Sequence, residues 1–145
     1  MDVVVEPHSF RITKSGTVVG PIWLHSKEDS ELVFPEAGWI DFPVVILGWW
    51  LREIEGLLRA SSIEATCSFM DGPFEFILKK SGELRLCERR ASGTIDVGTL
   101  RVSVEDFCQS LNVAASSVVA ECEARGWSGV DIDYLRRFIG KPMSA

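Results

Sequence analysis

Histidine occurs twice and tyrosine once in this chain of 145 residues, and none of the four cysteines belongs to a CxxC pair. A structural zinc site needs His and Cys at short, regular spacings. His8 and His25 have no second His or Cys within a few residues, so no metal and no cofactor are expected. Cys67, Cys87, Cys108 and Cys122 are too far apart to suggest a disulfide framework, and they read as reduced packing residues of a cytoplasmic protein. The longest apolar run, Phe42 to Leu51, is interrupted by Pro43 and Gly48 and is about half of the roughly 20 residues that a membrane span requires. The opening MDVVVEPHSF has no basic start, so neither a signal peptide nor a membrane anchor is expected.

Catalytic signatures are missing as well. GxSxG, HExxH, GxxxxGK and GxGxxG do not occur. Cys87 comes nearest to an activated nucleophile, because strand parity puts it on an outer sheet face between Arg85 and Arg89, yet an outward strand cysteine is usually inert. The acid pairs Glu105 with Asp106 and Asp131 with Asp133 fall at helix starts, where carboxylates suit the helix dipole without any catalytic role. No catalytic residue is assigned, and the chain reads as a non-enzyme.

Cations are in the minority: 15 Lys and Arg against 21 Asp and Glu give a net charge of −6. No basic stripe with interleaved aromatics appears, which argues against direct nucleic-acid binding. The acidity gathers early, in the run from Lys27 to Asp41.

What is present suits one globular domain over residues 1–145, with 46% apolar residues to build a core. Short alternating segments at Ser9–Thr13, Val18–Leu24 and Glu31–Phe34 predict strands, the first two joined as a hairpin across Lys14 to Gly16. Pro21 predicts that the second of these is an edge strand or carries a bulge. Asp41 is the expected N-cap of a long helix with Pro43 in its first turn. Its stripe comprises Leu47, Trp50, Leu51, Ile54, Leu57 and Leu58, and a second apolar line comprises Phe42, Val45, Ile46 and Trp49. That second line serves either the core or an interface.

From Ile63 to Val102 the pattern predicts a four-strand meander. A turn at Asp71-Gly72 pairs Cys67 with Phe76 and Glu64 with Lys79, and a three-residue loop, Lys80 to Gly82, keeps Leu78, Leu84 and Leu86 on one face. Ile95 and Val97 are expected inward on the last strand. Ser103 with Asp106 opens a second helix that Gly126 ends, and a short helix follows from about Asp131. The fold class is α+β, with an antiparallel sheet of about six to seven strands, a long central helix and C-terminal helices packed on one face.

The acids from Glu28 to Asp41 surround apolar side chains, which is the composition of an aromatic hot spot inside an electrostatic rim. The expected partner-binding residues are Glu28, Asp29, Glu31, Phe34, Glu36, Trp39 and Asp41. The element order, strands, a Trp-rich helix, a meander opening FMDGPFEF and a helix ending in RGW, resembles small bacterial immunity proteins of contact-dependent toxin systems. Trp39, Asp41, Trp50 and Asp71 to Pro73 carry the resemblance. It implies a cytoplasmic inhibitor that binds a cognate toxin and blocks its active site or substrate approach; the acidic surface makes a basic toxin, such as a nuclease, the expected partner, and a monomer is favoured. The alternatives are a small-molecule-binding or enzymatic domain with a pocket beside the long helix, and a homo-oligomeric scaffold built on the Phe42, Val45, Ile46 and Trp49 line.

Overall fold

Three consecutive β-branched valines form β1 (Asp2–Val5), a strand that the alternation rule passed over because all three are apolar. One turn of 3-10 helix (Pro7–Ser9) leads to β2 (Arg11–Ile12), and both strands lie antiparallel along β3 (Val18–His25). The computed structural model describes residues 1–28, 32–59 and 62–140. The expected segment Glu31–Phe34 appears as β4 (Val33–Phe34), with Glu31 outside the described residues, and β5 (Ile40–Asp41) follows. Both pair with the opposite side of β3, which makes it the centre of a five-stranded sheet.

Pro21 therefore does not mark an edge, and register explains why. Ile22 donates to Trp39 C=O on the β5 side, whereas Pro21 C=O accepts from Glu6 N–H on the β1 side. The donor that proline lacks would point at the 3-10 turn that separates β1 from β2, where no strand waits to accept it.

The meander forms a separate four-stranded sheet, β6 (Glu64–Ser68), β7 (Phe74–Lys79), β8 (Glu83–Arg90) and β9 (Gly93–Arg101), in sequential order. One sheet of six or seven strands is thus replaced by two. The registers predicted by parity hold: Cys67 pairs with Phe76, Glu64 with Lys79 and Leu78 with Leu84. Gly82 closes the three-residue loop at φ +96°, which only glycine adopts freely. Val97 departs from expectation, because a bulge between Leu86 and Cys87 shifts the pairing from Leu86↔Gly98 to Cys87↔Asp96. The extra residue is Val97, which turns out to 49% exposure.

Helix α1 (Pro43–Leu58) packs against β3 of one sheet and β6 of the other. Ile46, Leu47, Trp50, Leu51, Ile54 and Leu57 are fully buried on it. The second apolar line divides: Ile46 enters the core, Phe42 and Val45 are half-buried, and Trp49 is exposed. Helix α2 (Val104–Ala124) starts with Ser103 Oγ accepting from Asp106 N–H at 3.2 Å. It ends in a Schellman motif, with Trp127 N–H donating to Cys122 C=O and Gly126 N–H to Glu123 C=O. The Arg125 guanidinium beyond that end donates to Phe10 C=O at 2.7 Å and His8 C=O at 2.8 Å, tying the helix to the first turn of the chain. Helix α3 (Val130–Arg136) buries Ile132 and Leu135 against α1 and α2.

A chain of edge-to-face rings crosses the interior. Trp39 meets Phe74 at 5.3 Å, Phe74 meets Phe34 at 5.7 Å, and Phe34 meets Phe69 at 5.8 Å. Phe69 continues to Trp50 at 5.0 Å, Trp50 to Phe76 at 4.9 Å and Phe76 to Phe107 at 5.6 Å. The rings link β4, the β6–β7 hairpin, α1 and α2, so both sheets share one core.

Candidate functional site

Asp41 organises the most distinctive corner of the molecule. It is only 1% exposed, and its two carboxyl oxygens take four hydrogen bonds. Oδ1 accepts from Phe42 N–H at 2.7 Å and Met70 N–H at 3.3 Å. Oδ2 accepts from Trp39 Nε1–H at 3.0 Å and Asp71 N–H at 3.1 Å. One side chain thereby pins the start of α1 to the β6–β7 turn, about 30 residues later in sequence.

This geometry corrects the helix-cap reading. Phe42 occupies the N-cap position, no side chain caps the first turn, and Pro43 at the first helical residue removes one donor that would need a partner. Asp41 is not free to bind a partner either, since both oxygens are used inside the protein. Phe34 is also buried, enclosed by Phe69 and Phe74. These two expected contact residues belong to the core.

Trp39 is half-buried. Its indole packs on Phe74 and lies so close over Gly72 that an added Cβ there would approach the ring to 3.1 Å. Ile40, next in β5 and turned by strand alternation to the opposite face, is 45% exposed, and Met70, whose amide reaches Asp41, is 42% exposed, both open for large apolar side chains. Glu36 and Asp71 are exposed at the margin and make no ion pair among the described residues. Trp39 N–H donates to Glu36 C=O, which keeps that acid within one turn of the indole.

Glu28 lies elsewhere, on a groove beyond the far end of β3, and Asp29 and Glu31 fall outside the described residues. The expected site is thus divided. Ile40 and Met70 were not anticipated, because the approach of the β6–β7 turn to Asp41 is a tertiary contact with no local pattern.

The remaining chemistry is quiet. Cys87 is fully buried, contrary to its expected outward exposure, because Glu75, Arg85 and Asp96 crowd that part of the outer face. Its thiol donates to Asp96 Oδ1 at 3.5 Å. Burial first, then the Asp96 hydrogen bond, push its pKa up to about 11, and the opposing pull of Arg85 is smaller. Arg85 itself is engaged with Asp96 at 2.8 Å and holds that carboxyl below its usual range. Among the described residues no group of three or more His, Cys, Asp and Glu side chains lies together as a metal would require. Among the described residues no helix is long and apolar enough to cross a membrane.

Comparison with family models, with curated proteins and with solved structures found no match to this chain.

Proposed function

We propose that this protein is a non-enzymatic inhibitor that binds and neutralises a basic cognate protein, a nuclease toxin being the leading class, in the manner of the immunity proteins its element order resembles. The contact surface is the corner made by Glu36, Trp39, Ile40, Met70 and Asp71. What supports the reading is the buried Asp41 carboxyl group, which ties the Trp39 indole to the Met70 and Asp71 backbone, with Met70 exposed there and the acids Glu36 and Asp71 without an ion pair among the described residues. Preorganised apolar anchors inside a charged rim give slow dissociation, and the rim charges speed association with a partner of opposite sign.

The test is association kinetics with the product of the neighbouring reading frame, followed across ionic strength. Ile40→Ser with Met70→Ser should raise the dissociation rate about tenfold or more. Glu36→Lys with Asp71→Lys should slow association and flatten its salt dependence. Reversal of Glu28, Asp29 and Glu31 to Lys gauges the other acidic region. Wild-type kinetics in all three variants would remove both surfaces from the interface.

A further inference from the structure

Six sulfur atoms lie within the described residues, four thiols and the thioethers of Met1 and Met70, and they differ in their access to solvent. Cys67, Cys87, Cys108 and Cys122 are all buried. Burial also raises each thiol above its ordinary pKa, so the thiolate that reacts with an oxidant is scarce as well as enclosed. Met1 is half-buried and packs against the core. Met70 is the exposed member of the set, and a thioether reacts with an oxidant without first losing a proton.

Backbone anchoring keeps Met70 outside. Phe69 before it is buried between the Phe34 and Trp50 rings, and the amides of Met70 and Asp71 both donate to the Asp41 carboxyl group. The side chain can change rotamer, but with both neighbours fixed its Cα has no slack to carry the sulfur into the core. An oxygen added there changes the chemistry of the contact corner without reaching the interior. A sulfoxide puts a strongly polar acceptor where an apolar group stood. Covered by a partner, that acceptor loses its water and gains no donor in return.

We propose that Met70 is the oxidation-sensitive position of this protein: hydrogen peroxide converts its thioether to the sulfoxide, the fold is retained, and partner binding at the corner is weakened. The sulfur lone pair forms the new S–O bond, the O–O bond of the peroxide breaks, and the departing hydroxide takes the proton left on the new oxygen to become water. The sulfur is oxidised by two electrons and the peroxide is reduced by the same two. The effect on binding rests on the contact surface proposed above, whereas the position of the reaction does not.

The reaction is followed on the full chain carrying Met143→Leu, which removes the one sulfur outside the described residues, by intact mass and peptide mapping during mild peroxide treatment. One oxygen should add first, at Met70, before Met1 and before any cysteine. The urea midpoint of the singly oxidised protein should be unchanged. Its dissociation rate from the product of the neighbouring reading frame should rise about tenfold or more. A methionine sulfoxide reductase should restore the original rate. Met70→Leu, whatever its own dissociation rate, should show no further change on the same treatment.

Oxygen entering Met1 or a cysteine ahead of Met70, or loss of the fold on uptake of one oxygen, would overturn the proposal. So would an unaltered dissociation rate in the oxidised protein where Met70→Ser dissociates faster, because the corner would then be right and its sensitivity to peroxide wrong. Unaltered rates in both would remove the corner, and with it the binding half of the proposal. The order of oxidation is read on the protein alone, so the site of reaction and the contact surface fail or survive separately.

Discussion

Removing the Asp41 carboxyl group, itself only 1% exposed, leaves four donors without their acceptor, three backbone amides and one indole N–H. Asp41→Ala should cost about 3 kcal/mol or more in urea unfolding, against about 1 kcal/mol for a typical point change. A loss below about 1 kcal/mol would mean that water replaces the carboxyl group at little cost. Sequence reading found this residue important but assigned it two wrong tasks, helix cap and partner contact. The reason is physical: its partners at positions 70 and 71 come near only after β6 and β7 pair, and local pattern carries no trace of that approach. The cysteines make a second residue-scale case. Burial raises the pKa of Cys67, Cys87, Cys108 and Cys122 above the ordinary thiol value, that of Cys87 to about 11. An unfolded thiol ionises near pH 8.5. Below that pH both states are protonated and the groups contribute no slope. As pH rises toward the folded values the unfolded state sheds protons that the native state retains, so stability falls. Thermal melts should show a declining transition temperature above about pH 8.5, with a shallower decline in Cys87→Ala. An identical slope in that variant would show that the Cys87 thiol ionises alike in both states.

Elements with strong period or parity were legible. The registers of the two meander hairpins, the loop at Gly82, the buried stripe of α1 and the ends of α2 all follow from local pattern, because each is decided by residues a few positions apart. Bulges are different. A one-residue slip in β9 reverses the facing of everything beyond it, and the one cue in GTIDVGTLR, the glycine inside the strand at Gly98, permits a bulge without fixing which residue is extra. The slip makes a sharp prediction about Val97. Its expected inward position would make Val97→Lys cost several kcal/mol by burying a charge, whereas its observed exposure predicts a change within about 0.5 kcal/mol. Leu100→Lys, two residues beyond Gly98 and opposite Leu84 on the inner face, should be the damaging substitution. Equal, large losses in chemical denaturation of both variants would place Val97 inside after all.

At the scale of the molecule the question is whether two sheets without shared strands behave as one cooperative body. They have no mutual hydrogen-bonded ladder, so coupling depends on what lies between them. Helix α1 touches both, and the Phe34 ring from the first sheet inserts between Phe69 and Phe74 of the second. Because Ile46, Leu47, Trp50 and Leu51 have no exposed side, neither sheet can detach without opening the face of α1 to water. Unfolding of the wild-type chain should thus be a single transition, with tryptophan fluorescence and far-ultraviolet circular dichroism coincident. Phe34→Ala tests the link itself. It should cost about 3 to 5 kcal/mol, as large-to-small changes of buried aromatics do. Amide exchange should rise first in β3 and β4, while β6 to β8 keep protection, because the lost ring contacts are those that hold the first sheet to the shared core. A uniform rise across both sheets would show that α1, the Asp41 hydrogen bonds and the Trp39–Phe74 contact are enough to couple them, and that Phe34 contributes volume rather than connection.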